Sequence, residues 1–287
     1  MSQPALMRGF ELDLDALLAG TVAAVEEAVT LVRERMAGSF DAWKKGDRSP
    51  VTEIDLAVDR LLGESLPRVA PAAWLSEETV DDPRRLDASL VWVVDPIDGT
   101  RSLIDRTGQF CISVALCRDG APLVGVIANP TTGERFTAIA GRGAHDQDGR
   151  RLQVRRPAAS RVPRLLVSTR ELHRGLWRDL DEVAETEALS SLAYKLAKVA
   201  RGDVDATMTP WTRSEWDAAA GDLIVREAGG VSVDIHGRPL RYNRAAPSFE
   251  GVVAGAPDLL GRLAGLRDEL RRRRDNVLAA HAGHGPG

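Results

Sequence analysis

The chain has 287 residues, 38 basic against 42 acidic side chains and a net charge of -4. This length suits one large domain or two closely packed halves, and 44% hydrophobic with 28% charged residues is ordinary globular composition. No apolar run approaches the ~18 residues of a membrane span, and the one basic block, 271–274, lacks interleaved aromatic residues, so membrane insertion and nucleic-acid binding are disfavoured.

The first half predicts two helices followed by an antiparallel sheet. Apolar residues recur at helical spacing over 14–36 and again over 54–66, where Thr52 and Asp55 fit a capping box. The pattern then changes to that of strands. Predicted strands cover residues 90–94, 110–117, 122–128 and 134–140.

The second half predicts alternating strands and helices. Strands are expected at LLVS, at VDATM, near 231–234 and at 251–254. Helices are expected near 172–182, near 190–201, over about 216–228 and from Pro257 onward, with a frayed end. We therefore expect an N-terminal half, 1–160, and a C-terminal α/β half, 161–287, that form one compact unit.

Two observations favour a reducing, cytoplasmic setting. Cys111 and Cys117 are the only cysteines, and their spacing on a predicted strand places both on one face as reduced core thiols. Residues 1–20 lack a basic flank followed by an uninterrupted apolar stretch, so no export signal is expected.

The most informative stretch is VVDPIDGTRS, where a buried strand ends at Asp95 and a turn delivers Asp98, Gly99 and Thr100. Pro96 restricts the residue before it to extended backbone, and glycine permits close approach of the backbone to a ligand. An EF-hand loop is excluded, because the positions that should be acidic are valine and proline. The turn could hold a metal ion and a phosphate, although Asp, Pro and Gly also dominate ordinary surface turns.

Acidic residues elsewhere have local explanations as well. Glu77 and Glu78 follow a predicted strand, but adjacent glutamates are common in solvated loops. Asp217 lies at the start of a predicted helix, where the helix dipole alone favours an acid. Asp55 is explained by capping. Taken singly, these residues leave both a metal-binding and a local structural role open.

Together, four motifs resemble the inositol monophosphatase superfamily. They are DPIDGT at 95–100, WD-x-AAG-x-x-I-V-x-EAGG at 216–230, SEE at 76–78 and SPVTEID at 49–55, in the family's order and spacing. The resemblance implies an α/β (α+β) fold, a layered α/β/α/β/α sandwich of the inositol monophosphatase and fructose bisphosphatase type. It also implies a homodimer, magnesium bound where sheets meet helices, and sensitivity to lithium.

By the same resemblance, the metal ligands are the side chains of Glu77, Asp95, Asp98 and Asp217 and the carbonyl of Ile97. Oxygen ligands suit Mg²⁺, and the histidines form no zinc-like spacing outside the chain's end. Two or three ions would neutralise the ester phosphate of a small molecule, activate water and stabilise the leaving alkoxide.

The resemblance also assigns the catalytic roles. Glu77 and the Thr100–Asp55 pair would orient and deprotonate water, which is the nucleophile. Asp98, Gly99 and Thr100 would hold the substrate phosphate. Phosphoryl transfer asks mainly for positioning and charge compensation, which such a carboxylate site provides.

Residues outside the metal site must determine the substrate specificity. Inositol monophosphatases typically have an acid seven residues before the aspartate of the WD pair, where this chain has Pro210. SSLAYKLAKVARGDVDA at 190–206 and EWD at 215–217 look like CysQ-like 3'(2'),5'-bisphosphate nucleotidases. Two departures are Ala193, where their lysine is expected, and DGTRSL, where lysine-glutamate usually follows DGT. We rank adenosine 3',5'-bisphosphate first, inositol or related polyol monophosphates second and another sugar phosphate third.

A second phosphate on the substrate would need cationic partners. The candidate substrate-side residues are Ser191, Lys195, Arg213 and Asp217, with Lys198 as a further candidate cation. A hypothesis of a different class is a non-catalytic regulator that keeps the fold. Its simplest sign would be a lost metal acid, and all five acids of the pattern are present.

Overall fold

A computed structural model describes residues 12–46 and 49–282. Residues 1–11, which contain much of the segment searched for an export signal, lie outside these ranges, as do 283–287 at the end expected to fray. Within the two ranges, every helix is too short or too polar to cross a bilayer.

The first layer is a pair of helices in contact, α1 (Leu14–Met36) and α2 (Glu53–Val69). Both lie where the apolar periodicity predicts them. The capping box is also confirmed, because the Asp55 amide donates to the Thr52 hydroxyl and the Thr52 amide donates to the Asp55 carboxylate at 2.9 Å. Between the helices runs a hairpin that the sequence did not predict, β1 (Ala42–Lys44) with β2 (Pro50–Thr52).

The second layer is a six-stranded sheet. Its strands are β3 (Ala73–Ser76), β4 (Leu90–Asp98), β5 (Cys111–Arg118), β6 (Ala121–Ala128), β7 (Arg135–Ile139) and β8 (Gly143–Asp146). They lie in chain order, with β3 parallel to β4 and every other neighbouring pair antiparallel. A 3₁₀ helix (Pro83–Asp87) precedes β4, and the short helix α3 (Thr100–Ile104) follows it.

Alternating side chains of β4 serve two separate apolar cores. Trp92 and Val94 face α1 and α2, whereas Val91 and Val93 belong to the core on the other side. Both cysteines are buried, unpaired thiols in that second core, as predicted. A strand buried on both faces reads as a continuous apolar run, which explains LVWVV.

The remaining elements complete three further layers. The strands are β9 (Arg164–Val167), β10 (Glu185–Ala188), β11 (Ala206–Thr209), β12 (Arg213–Ser214), β13 (Val231–Val233), β14 (Ser248–Phe249) and β15 (Val252–Gly255). The helices are α4 (Thr169–His173), α5 (Leu192–Arg201), α6 (Glu215–Glu227), α7 (Pro257–Arg262) and α8 (Ala264–Ala282). A five-stranded mixed sheet has the order β10-β9-β11-β15-β13, and β12 pairs with β14.

Helices α5 and α6 lie between the two sheets. Helix α6 contacts β5 and β6 on one side and β13 and β15 on the other, while α7 packs outside β15. The predicted layered α/β/α/β/α sandwich is therefore confirmed. The predicted division at residue 160 falls between the last strand of the first sheet and the first strand of the second. A division into two halves stays a prediction.

Two helix predictions were wrong. Helix α4 ends at His173, and the chain continues in turns through Gly175, whose φ of 69° is unfavourable for a helix, instead of forming a helix over 172–182. Leu176 and Trp177 match helical spacing because these turns bury them. The edge strand β10 was missed because three of its four residues, ETEA, are polar. The single helix expected from Pro257 onward is interrupted at Leu263, so the chain forms two helices there, α7 and α8.

Candidate active site

Three carboxylates converge between the two sheets. Asp95 and Asp98 lie at the end of β4, and Asp217 lies in the first turn of α6. One oxygen of each lies within 4.8 Å of the others. Asp95 is buried, and its Oδ2 has no hydrogen-bond partner among the described residues. A buried acceptor without a donor fits a metal ion, because such an oxygen is otherwise unfavourable away from water.

The turn after Asp95 sets the spacing of the first two carboxylates. The pairing of β4 with β5 shifts between Asp95 and Asp98, so the strand is irregular there. Gly99 then adopts φ 103°, and a Cβ at this position would lie 3.0 Å from the Gln109 carbonyl oxygen. Only glycine adopts this backbone readily and fits the space.

Asp98 is fixed by the other half of the chain. Its Oδ2 accepts hydrogen bonds from the Ser191 hydroxyl at 2.8 Å and the Ala193 amide at 2.6 Å. The same hydroxyl caps α5 by accepting from the Tyr194 amide at 3.0 Å. Ser191 therefore positions a carboxylate. Its predicted contact with substrate stays a prediction.

Burial and mutual repulsion disfavour the ionised form of the three carboxylates when no cation is bound. Burial, with repulsion from Glu77, Asp98 and Asp217, raises the pKa of Asp95 well above its usual range. Burial also raises the pKa of Asp98, and burial with repulsion from Asp98 raises the pKa of Asp217 to about 8. A divalent cation would remove this repulsion, so the donor set fits a metal ion.

Thr100 connects the turn to helix α2. Its hydroxyl donates to Asp55 Oδ1 at 2.9 Å and lies 3.3 Å from the Ile97 carbonyl oxygen. Burial raises the pKa of Asp55, and hydrogen bonds from Thr52 and Thr100 partly offset this. The capping role and the predicted Thr100–Asp55 pair therefore occur together, on the two oxygens of one carboxylate.

Glu77 lies directly after β3 and outside the three-oxygen group. The Lys45 ammonium donates to Glu77 Oε1 at 2.9 Å and to Glu78 Oε1 at 2.6 Å. Burial raises the pKa of Glu78 to about 7. Metal ligation by Glu77 stays a prediction, and it would require Lys45 to share or release this carboxylate.

Lys195 and Arg213 are two further cations near the carboxylates. Lys195 is 0% exposed, its Nζ has no hydrogen-bond partner among the described residues, and burial lowers its pKa to about 8. Glu171, Asp98 and Asp217 oppose this shift, so the ammonium lies near all three. An Arg213 Nη2 atom lies 3.7 Å from Glu171 Oε1 and 3.3 Å from the Thr209 hydroxyl.

Sequence reasoning missed several residues around the carboxylates. Glu171 is buried at the start of α4, where it accepts from Thr209 and Trp177. The capping box that it forms with Ser168 was a readable signal. The sequence contains no comparable signal for Lys45, which lies in a polar stretch, because its position depends on the β1–β2 hairpin.

The layered sandwich therefore places three carboxylates that could hold a metal ion between its sheets. A model of the inositol monophosphatase family matches residues 13–272. The chain therefore belongs to the inositol monophosphatase family, whose members are phosphatases.

Individual relatives agree with this assignment. The chain is 32% identical over 236 residues to a 3'(2'),5'-bisphosphate nucleotidase CysQ of Aggregatibacter actinomycetemcomitans, covering 79% of this chain and 88% of the relative. It is 36% identical over 230 residues to an inositol-1-monophosphatase of Rhizobium meliloti, covering 76% and 85%. A solved structure of a Thermotoga maritima IMPase matches with a TM-score of 0.77 and 25% identity, covering 88% and 97%.

Magnesium should stabilise the folded chain. A ligand that binds only the native state at about 100 times its Kd adds about 2.7 kcal/mol, or roughly 5 °C in melting temperature. Asp98→Asn should lose most of this rise, because it removes one charge while its amide oxygen can still accept from Ser191. Thermal melts in EDTA and in MgCl₂ measure the difference.

The matched control is Asp105→Asn, the same change at an exposed residue just after α3. It should keep the full magnesium-dependent rise. If Asp98→Asn responds to magnesium as strongly as the unmodified chain, the metal-site assignment is wrong.

Proposed function

We propose that this protein is a magnesium-dependent phosphomonoester hydrolase whose preferred substrate is adenosine 3',5'-bisphosphate, which it converts to AMP and phosphate. The observation that carries the metal-dependent hydrolysis is the convergence of Asp95, Asp98 and Asp217, with one buried oxygen lacking any donor among the described residues. Ligands that are all oxygens favour Mg²⁺ over zinc.

Asp95, Asp98 and Asp217 would hold two or three ions, with Glu77 and the Ile97 carbonyl as further ligands. When bound, the ions supply positive charge to the ester phosphate and to the leaving oxygen, and they make water a better nucleophile. The chain fixes the ligands in advance through the turn after β4 and the cap of α5, so little reorganisation is needed during reaction.

Thr100 and Asp55 supply a route for the proton of the attacking water. The Thr100 hydroxyl donates to Asp55, so its oxygen can accept a hydrogen bond from water while its own proton is held by the carboxylate. Glu77 would orient a second water. The Gly99 and Thr100 amides would hold phosphate oxygens, which the positive φ of Gly99 makes possible by bringing the backbone close to the ligand.

The neutral Pro210 supports a bisphosphate nucleotide over inositol phosphate. It follows β11, and its carbonyl accepts from Arg274 on α8 at 3.0 Å. No carboxylate therefore stands at the position where an inositol-binding acid is expected. Glu171, the buried carboxylate at the start of α4, already accepts from the Thr209 hydroxyl and the Trp177 indole N–H. A site that lacks an acceptor for a polyol hydroxyl should lose selectivity for polyols.

An inositol monophosphate is the second candidate substrate. The 36% identity to the Rhizobium meliloti enzyme favours it, because that relative is an inositol-1-monophosphatase. The non-catalytic alternative is disfavoured, since all five acids of the family pattern are present. A homodimer and a cytoplasmic location complete the proposal, on the family resemblance and the reduced cysteines respectively.

Turnover should depend on both magnesium and Asp98. We expect a panel of phosphate esters to be hydrolysed only with Mg²⁺, and Asp98→Asn to lower kcat/KM at saturating magnesium by at least ~1000-fold, because a lost ligand charge weakens electrostatic stabilisation. Asp105→Asn should stay within about twofold of the unmodified chain. Near-normal turnover by Asp98→Asn would reject the proposed mechanism.

Lithium at millimolar concentration should inhibit the hydrolysis. The family resemblance motivates this expectation, and hard oxygen ligands also suit a small monovalent cation, which brings less charge than Mg²⁺. Initial rates at fixed MgCl₂ with added LiCl, compared with equal NaCl, separate inhibition from ionic strength. Equal rates in both salts would contradict it.

The preference between substrates should be measurable under one set of conditions. We expect kcat/KM for adenosine 3',5'-bisphosphate to exceed that for inositol 1-phosphate by at least ~10-fold, about 1.4 kcal/mol of transition-state binding. Both values should be measured at the same magnesium concentration. A preference for the inositol ester would remove the nucleotidase assignment and leave the metal-dependent phosphatase intact.

A further inference from the structure

Four arginines lie together beside the candidate active site. They are Arg101 in α3, Arg170 and Arg174 at the two ends of α4, and Arg213 in β12, and we call them the arginine rim. Residues four apart share a helix face, which places Arg170 next to Arg174. Partial burial and repulsion from the other three lower the pKa of Arg170, as expected for neighbouring cations.

The arginine rim adjoins the metal-binding carboxylates. Helix α4 begins against the segment that holds Asp98, since the Thr169 and Ser190 hydroxyl oxygens are 3.3 Å apart and Ser191 donates to Asp98. Arg101 follows Asp98 by three residues on the same turn. The rim and the carboxylates therefore lie in one region of the molecule.

The positive charge of the rim is largely unneutralised. Among the described residues, Arg101, Arg170 and Arg174 form no ion pair, and Arg174 instead lies over the Trp211 ring at 5.5 Å from its centroid. Such a contact positions a guanidinium without cancelling its charge. Arg213 pairs with Glu171 at 3.7 Å, but its buried Nε has no partner in the described ranges.

Two nearby lysines are less suitable than these arginines for binding an anionic ligand. Lys198 already pairs with Glu134 at 2.7 Å and with Asp203 at 3.4 Å. Lys195 is fully buried beneath the site, where its unpartnered ammonium adds positive charge without reaching the surface. Lys195 and Arg213 already have carboxylates nearby, whereas the other three arginines of the rim leave positive charge that an anionic ligand could neutralise.

We propose that the arginine rim is the subsite for the second phosphate of a bisphosphate substrate, with Arg170 and Arg174 as its main ligands. This inference rests on the proposed phosphatase function and assigns its specificity. Guanidinium groups match phosphate oxygens in bidentate geometry, and hydrogen bonds between charged groups are stronger than neutral ones. The second phosphate would remain intact, while the phosphate at the carboxylates is hydrolysed.

The test compares two esters that differ only in the second phosphate, adenosine 3',5'-bisphosphate and adenosine 3'-monophosphate. Arg170→Ala/Arg174→Ala should lower kcat/KM for the bisphosphate by at least about 30-fold, because two charge-assisted contacts are lost. For the monophosphate, kcat/KM should change by less than about threefold. Melting temperatures of both proteins establish that the variant is folded.

Arg118→Ala is the matched control. Arg118 is exposed at the far end of β5, about 24 Å along the strand from Cys111, and should affect neither ester. Equal losses for both esters, or no loss for the bisphosphate, would overturn the subsite while leaving the hydrolase intact. Absence of hydrolysis of either ester by the unmodified chain would reject the proposed function, and this inference with it.

Discussion

The hydrogen bonds that Asp98 accepts from Ser191 and Ala193 join the first sheet to helix α5 at the carboxylate cluster. Asp98 belongs to the first sheet, whereas its donors begin the helix α5 that lies between the sheets. Asp217 reaches the same point from the first turn of α6. Packing of α5 and α6 between the sheets therefore determines whether the carboxylates meet, so the site depends on the entire layered core and not on the DPIDGT turn alone.

Burial makes the charged form of the carboxylate cluster unfavourable unless a cation neutralises it. Three carboxylates removed from water repel one another and resist ionisation, which the raised pKa values of Asp95, Asp98 and Asp217 express. In a low-dielectric site, a divalent cation interacts with them more strongly than it would at an exposed surface. The same environment favours binding of an anionic phosphate once cations are present, because the carboxylates do not neutralise all of the positive charge of the ions.

Local patterns in the sequence predicted most helices and strands, whereas the layered fold and the role of the carboxylates of β4 and α6 came from the resemblance of four motifs to a family. Continuous apolar runs identified buried strands such as LVWVV, and the capping box at Thr52 identified the start of α2. Contacts between residues that are far apart in the sequence leave no such local pattern. The approach of Lys45 to Glu77, the donation from Ser191 to Asp98 and the edge strand β10 all depend on tertiary packing.

The arginine rim illustrates the same limit. Arg101, Arg170 and Arg174 are isolated in the sequence, where each is typical of a solvated surface. Only the fold brings α3, α4 and β12 close to the carboxylates. Carboxylates that could hold cations and guanidinium groups that could bind an anion therefore lie in one region of the molecule. Under the proposed function, a substrate with two phosphates would use both, one phosphate through bound ions and the other through the arginines, whereas a monophosphate would use only the first.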